Sequence, residues 1–102
     1  MEEKDCPACA RHRATPRGEE ELKNLQLRLS KIQGQLSGIS KMLEDNRYCG
    51  DILVQVAAAE KALESVGYLL LESHLNSCVK EDILAGKEGT IEETMDLIKK
   101  LK

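Results

Sequence analysis

Leu22, Leu25, Leu29, Ile32, Leu36, Ile39 and Leu43 follow one another at alternating steps of three and four. That is the a/d seam of a heptad repeat, and it constrains the fold more than any other feature of the chain. A helix with so narrow an apolar seam is stable only when another helix covers it. Glu19, Glu20 and Glu21 stand at its start, where the helix dipole favours acids, and Glu44-Asp45-Asn46 is a turn-like end. Gly34 and Gly38 lie inside the helix at about 1 kcal/mol each relative to Ala. They are four apart on one face, which predicts close packing of a neighbour there.

A second helix is expected from about Gly50 to Cys78. Ile52, Val56, Ala59, Leu63, Val66 and Leu70 form its stripe, and Leu53, Ala57, Leu69 and Leu71 widen it. So broad an apolar surface marks a central helix. Gly86 and Gly89 predict a break, and Thr90-x-x-Glu93 reads as a capping box opening a third helix with Ile91, Met95 and Ile98 on its apolar side. Lys99, Lys100 and Lys102 suit its C-terminal dipole. No strand alternation is visible. The expected class is all-α, with three helices over residues 19–102 and a tail over residues 1–18 that carries Pro7, Pro16 and Gly18.

The chain has 102 residues, no Phe, no Trp and two Tyr, at positions 48 and 68. Its core must use slim side chains, and a domain of this size buries only about 60–65% of its unfolded surface. A further copy of the chain is therefore expected to complete the core. The missing aromatics argue against nucleic-acid modules that stack bases. The net charge of −3 is unevenly spread: residues 10–47 carry eight Lys/Arg against five Asp/Glu, and residues 48–102 six against ten. A basic first half can meet an acidic partner through one face. No apolar run approaches a membrane span, and the N-terminus lacks the apolar core of a secretory signal. The expected location is the cytoplasm, where Cys6, Cys9, Cys49 and Cys78 would be reduced thiols with metal or redox roles.

His74 and Cys78 are spaced i, i+4, so on a helix they share a face within reach of one metal ion. The pair alone is a weak signal, since a His beside a buried Cys arises by chance. Cys49 lies at the far end of the same helix, about 37 Å away. One chain cannot gather all three, but an antiparallel pair of chains can, and twofold symmetry then makes two equivalent sites. Two thiolates and an imidazole form a soft set, suited to Cu(I), Zn(II) or iron–sulfur centres. Zinc would want a fourth ligand, so three-coordinate Cu(I) is preferred. Cys6-x-x-Cys9-x-x-His12 is a separate candidate, open between an accessory metal site, a redox pair and incidental thiols. As an accessory site it would pass copper to the main one.

The segment RLSKIQGQLSGISKMLEDNRYC (Arg28–Cys49) resembles the signature of the copper-sensitive operon repressor family, of CsoR/RcnR/FrmR type. HLNSCV (His74–Val79) and IEETMDLIKKLK (Ile91–Lys102) match it too, so the resemblance spans about residues 19–102. It implies an antiparallel four-helix-bundle dimer, two dimers forming a tetramer, and DNA bound on a basic surface without a helix-turn-helix. It aligns Cys49, His74 and Cys78 with the family's copper(I) ligands. Nickel and cobalt sensors of this type carry His at the last ligand position and a further N-terminal His. Tyr48 and Glu93, with Glu92 as the alternative, correspond to the pair that links the ligand His to the rest of the protein. The resemblance assigns Arg28 and Lys31 to DNA contact. Lys23, Lys41, Arg47 and Lys61, and the tail residues Arg11, Arg13 and Arg17, are further phosphate-contact candidates, and each is equally readable as solvated surface. Some relatives carry Arg where this chain has Ser65 and Tyr68.

The implied function is a copper(I)-responsive repressor that leaves operator DNA when copper binds, with copper-resistance genes regulated and a copper chaperone as possible donor. Two alternatives stay open: a thiol-reactive persulfide- or formaldehyde-type repressor of the same fold, and a cytosolic copper-storage protein without a DNA role. No acid/base pair or cofactor loop points to an enzyme.

Overall fold

A computed structural model describes His12, Arg13 and residues 15–101. Helix α1 runs Glu19–Glu44 and α2 runs Cys49–His74. A π-helical turn, Leu75–Val79, follows and leads into a short α3, Lys80–Leu84. Helix α4 runs Thr90–Lys100. The described residues hold no strand. The backbone stays right-handed helical at Leu75, Val79 and Lys80, so α2, the π turn and α3 form one rod. The second helical segment therefore reaches Leu84, beyond the expected end at Cys78.

Two turns end the rods by the same device. Asn46, at φ 53°, follows α1, with Asn46 N–H on the Leu43 carbonyl and Arg47 N–H on that of Met42. Gly86, at φ 76°, follows α3, with Gly86 N–H on Ile83 and Lys87 N–H on Asp82. These are Schellman caps, which need a left-handed residue that Gly and Asn supply. The capping box expected at Thr90 is not formed. Gly89, at φ 82°, is the cap, and its carbonyl takes the Glu93 N–H that a Thr90 cap would have bonded.

Helices α1 and α2 pack as an antiparallel hairpin: Leu25 and Leu69 share one groove, Ile32 and Ala62 another. The core is Leu25, Ile32 and Val66, flanked by Ala62 and Leu69. No large side chain among the described residues is fully buried. The radius of gyration is 17.3 Å, against about 13 Å for a compact chain of this length. The heptad seam is split. Leu25 and Ile32 face α2, while Leu22, Leu29, Leu36 and Leu43 remain 38–61% exposed. The close packing expected at Gly34 and Gly38 is not made within the chain, since a Cβ at either would meet nothing within 4 Å. Ile32, at 6% exposure, is a firm member of this small core. Ile32→Ala is expected to lower stability by about 2–4 kcal/mol, read from urea unfolding midpoints.

Candidate metal centre and nucleic-acid surface

The expected ligands divide between the two ends of the long rod. At the distal end His74 is the last residue of α2 and Cys78 lies in the π turn. A π turn is wider than an α turn and recurs at functional sites. Four residues apart, the two side chains still leave the rod on neighbouring directions. They line one cleft of about 470 Å³ together with His12, Arg13, Thr90 and Glu93. Cys78 is half-buried, as is His74. Glu93 lines the cleft and Glu92 does not.

The segment before α1 lies along this end. Arg13 Nε donates to Cys78 Sγ at 3.4 Å, and another Arg13 nitrogen donates to Ser77 Oγ. Thr15 Oγ1 donates to Glu81 at 3.0 Å, and Arg17 to Ser73 Oγ at 3.3 Å and to Glu21 at 2.9 Å. Ser73, Ser77 and Glu81 are successive i, i+4 positions of the rod, so they present one polar track to the segment. Ser77 Oγ donates to the Ser73 carbonyl at 2.7 Å, leaving its lone pairs to Arg13. The Ser73 hydroxyl, and after it the Arg17 guanidinium, hold the Glu21 carboxyl below the ordinary carboxylate value.

At the proximal end Cys49 is exposed and opens α2, and Tyr48 precedes it at 76% exposure. The Tyr48 ring lies over Gly50, where a Cβ would come within 2.6 Å of Tyr48 Cε2. Twenty-five helical steps of 1.5 Å separate Cys49 from His74, about 37 Å. The expected residues thus fall into two separate groups, Tyr48 with Cys49 at one end and His74 with Cys78 and Glu93 at the other. Among the described residues no group of three or more His, Cys, Asp or Glu is placed to hold a metal ion. Cys6 and Cys9 lie outside the described residues, while His12 stands at the distal cleft.

Arg28 and Lys31 line a groove between α1 and α2 with Gln35 and Ser65, and Arg28 also borders Tyr68. Lys61 sits one turn from Ser65 on the same side of α2. Lys23 and Lys41 are on α1, and Arg47 is in the turn after it. All six are exposed and make no ion pair with the described residues. The Arg13 contact with Cys78, and Gln35 in the basic groove with its Oε1 buried and unpartnered, carried no signal in the sequence. The His12 position was hinted at only by its regular spacing from Cys6 and Cys9.

The profile of the family described as metal-sensitive transcriptional repressor matches residues 21–100. The copper-sensing transcriptional repressor CsoR of Bacillus subtilis (strain 168) is 46% identical over 74 residues, 72% of this chain and 73% of that protein. The copper-sensing repressor RicR of Mycobacterium tuberculosis is 41% identical over 66 residues, 65% of this chain and 69% of that one. Among solved structures, CsoR with Cu(I) from Geobacillus thermodenitrificans NG80-2 is similar at a TM-score of 0.81 and 48% identity, covering 89% of this chain and 96% of that one. The nickel-responsive regulator InrS is similar at a TM-score of 0.69 and 32% identity, covering 86% and 100%.

Proposed function

Because this chain belongs to the metal-sensitive transcriptional repressors, a family of regulators rather than enzymes, we propose that it represses transcription in the cytoplasm and releases operator DNA in response to copper(I). The observation that carries the reading is the division of one soft ligand set, Cys49 at one end of the rod and His74 with Cys78 at the other. Two chains packed antiparallel bring each Cys49 to the His74 and Cys78 of the other, and the exposed leucines at 22, 29, 36 and 43 are the seam that such packing covers. A dimer of this kind, paired again into a tetramer, is the proposed assembly. The similarity to both a copper-sensing and a nickel-responsive protein leaves the inducer to the ligands. A second sulfur at Cys78 favours the softer, monovalent ion.

His74 and Cys78 with Cys49 of the partner subunit would hold the ion, which supplies a soft Lewis acid joining two chains. His74 carries the coupling. One ring nitrogen serves as ligand, and the other needs an acceptor to orient the ring. Glu93 in the same cleft, with Tyr48 of the partner subunit, supplies that environment. Reorientation of His74 pulls on α4 through Glu93, changes how the rods pack and misaligns the basic groove of Arg28 and Lys31. In the apo form that groove, with Lys23, Lys41, Arg47 and Lys61, neutralises phosphates and releases counterions. Coupling is reciprocal: DNA weakens copper binding by the factor by which copper weakens DNA binding, typically 5–150-fold. His12 lines the same cleft as His74 and Cys78, and Cys6, Cys9 and His12 are proposed as an accessory site that passes copper to the main one, with a copper chaperone as the proposed donor.

Gel shift with operator DNA at fixed salt, with and without copper(I), tests the reading. The wild type is expected to bind as apo protein and to leave on copper addition. His74→Ala is expected to keep tight copper binding while losing at least about tenfold of the copper-dependent release. Normal release by that variant would rule out coupling through His74. Apo protein with no affinity for DNA would instead mark a copper-storage protein.

A further inference from the structure

We infer that Arg13 is a specificity-determining residue of the metal centre, its guanidinium on the Cys78 sulfur being the charge that makes the cleft favour a monovalent ion over a divalent one. The inference rests on the copper(I) reading above and concerns a residue of the segment before the folded helices. Arg13 Nε lies 3.4 Å from Cys78 Sγ, and the neighbouring Ser77 hydroxyl accepts from the same guanidinium. Two partners fix the plane of the group, as an Arg fork permits and a Lys point charge does not. Arg13 is half-buried, and one of its terminal nitrogens is shut off from solvent without a partner. The charge is thus held at the sulfur.

The selectivity follows from charge counting. Two thiolates and a neutral imidazole around a monovalent ion leave one net negative charge, whereas the same ligands around a divalent ion are neutral. The cleft around them is already acidic. Glu81, Asp82 and Glu93 line it, against Lys87 and Arg13. Lys87 is 3.9 Å from Asp82 and offsets that carboxylate, while Thr15 ties Glu81. An anionic complex placed among carboxylates is disfavoured unless a cation stands against it, and Arg13 is the cation in contact with a ligand atom. A neutral complex gains far less from the same neighbour. At the screening expected of a half-exposed site, one adjacent charge is worth on the order of tenfold in affinity. Salt should erode part of it.

The test measures copper(I), against a chromophoric competitor under anaerobic conditions, and zinc(II), against a fluorescent indicator. The full chain carries Cys6→Ser and Cys9→Ser, so that only the shared site is titrated. Arg13→Ala is expected to weaken copper(I) about tenfold and zinc(II) less than about threefold. Arg13→Lys, which keeps the charge but not the fork that fixes it on Cys78 and Ser77, is expected to recover only part of the lost copper(I) affinity. Unchanged helical content and melting temperature in both variants show that the fold is intact. Equal weakening of the two ions overturns the inference, and so does an Arg13→Ala variant that binds copper(I) as tightly as its parent. Failure of the parent itself to bind copper(I) tightly overturns the copper reading and this inference together, which distinguishes that outcome from failure of Arg13 alone.

Discussion

Cys49→Ser and Cys78→Ser are each expected to lose copper(I) affinity by more than about 100-fold, beyond the 10–100-fold that changes outside the ligand set bring. Mixed together, unfolded and reassembled, the two variants are expected to regain tight binding. The reason is the placement of Cys49 at one end of the rod and of His74 and Cys78 at the other. A mixed dimer pairs the intact Cys49 of one chain with the intact His74 and Cys78 of the other, while its second site lacks both sulfurs. Tight binding should therefore return at one ion per mixed dimer. In a background without Cys6 and Cys9, a mixture that binds no better than either variant would refute a site shared between chains. Tight binding by Cys49→Ser alone would remove Cys49 from the ligand set.

Leu36→Glu is expected to have the largest effect on stability. In the single chain Leu36 is 55% exposed, and a substitution on a free surface stays within about ±0.5 kcal/mol. If a second chain covers the seam, each copy instead buries an unpaired carboxylate, at a cost of about 3 kcal/mol or more per chain. The melting temperature should then fall by about 12 °C or more. Analytical ultracentrifugation should show dissociation, and copper(I) binding should disappear with it, because half of each site leaves with the partner. A folded, fully associated Leu36→Glu protein would show that the exposed leucines are not the interface.

The helices were legible because helix formation is local. The three-four spacing of Leu22 to Leu43 marks α1, and the structure bounds it at Glu19–Glu44. The pairing of His74 with Cys78 was legible for the same reason, since four residues is one turn. Thr90 was misread because a cap depends on the backbone at the residue before it. Gly89 in the left-handed region moves the cap one position upstream. The inward face of α1 was not legible either. All seven seam residues look alike in sequence, and only the register of α1 against α2 sends Leu25 and Ile32 inward and leaves Leu22, Leu29, Leu36 and Leu43 outside.

What the amino-acid order determined by itself is thus the helical class, the break at Gly86 and Gly89, and the soft donor character of the pair His74 and Cys78, all properties of residues within a turn or two of one another. What only the tertiary structure decided is the placement of Arg13 on Cys78, the widening of the helix into a π turn at Leu75–Val79, and the split of the seam between a covered and an open half. Arg13 and Cys78 are 65 residues apart. Contacts across such a separation follow no periodic pattern, because they arise from how finished helices dock and not from the repeat that forms them.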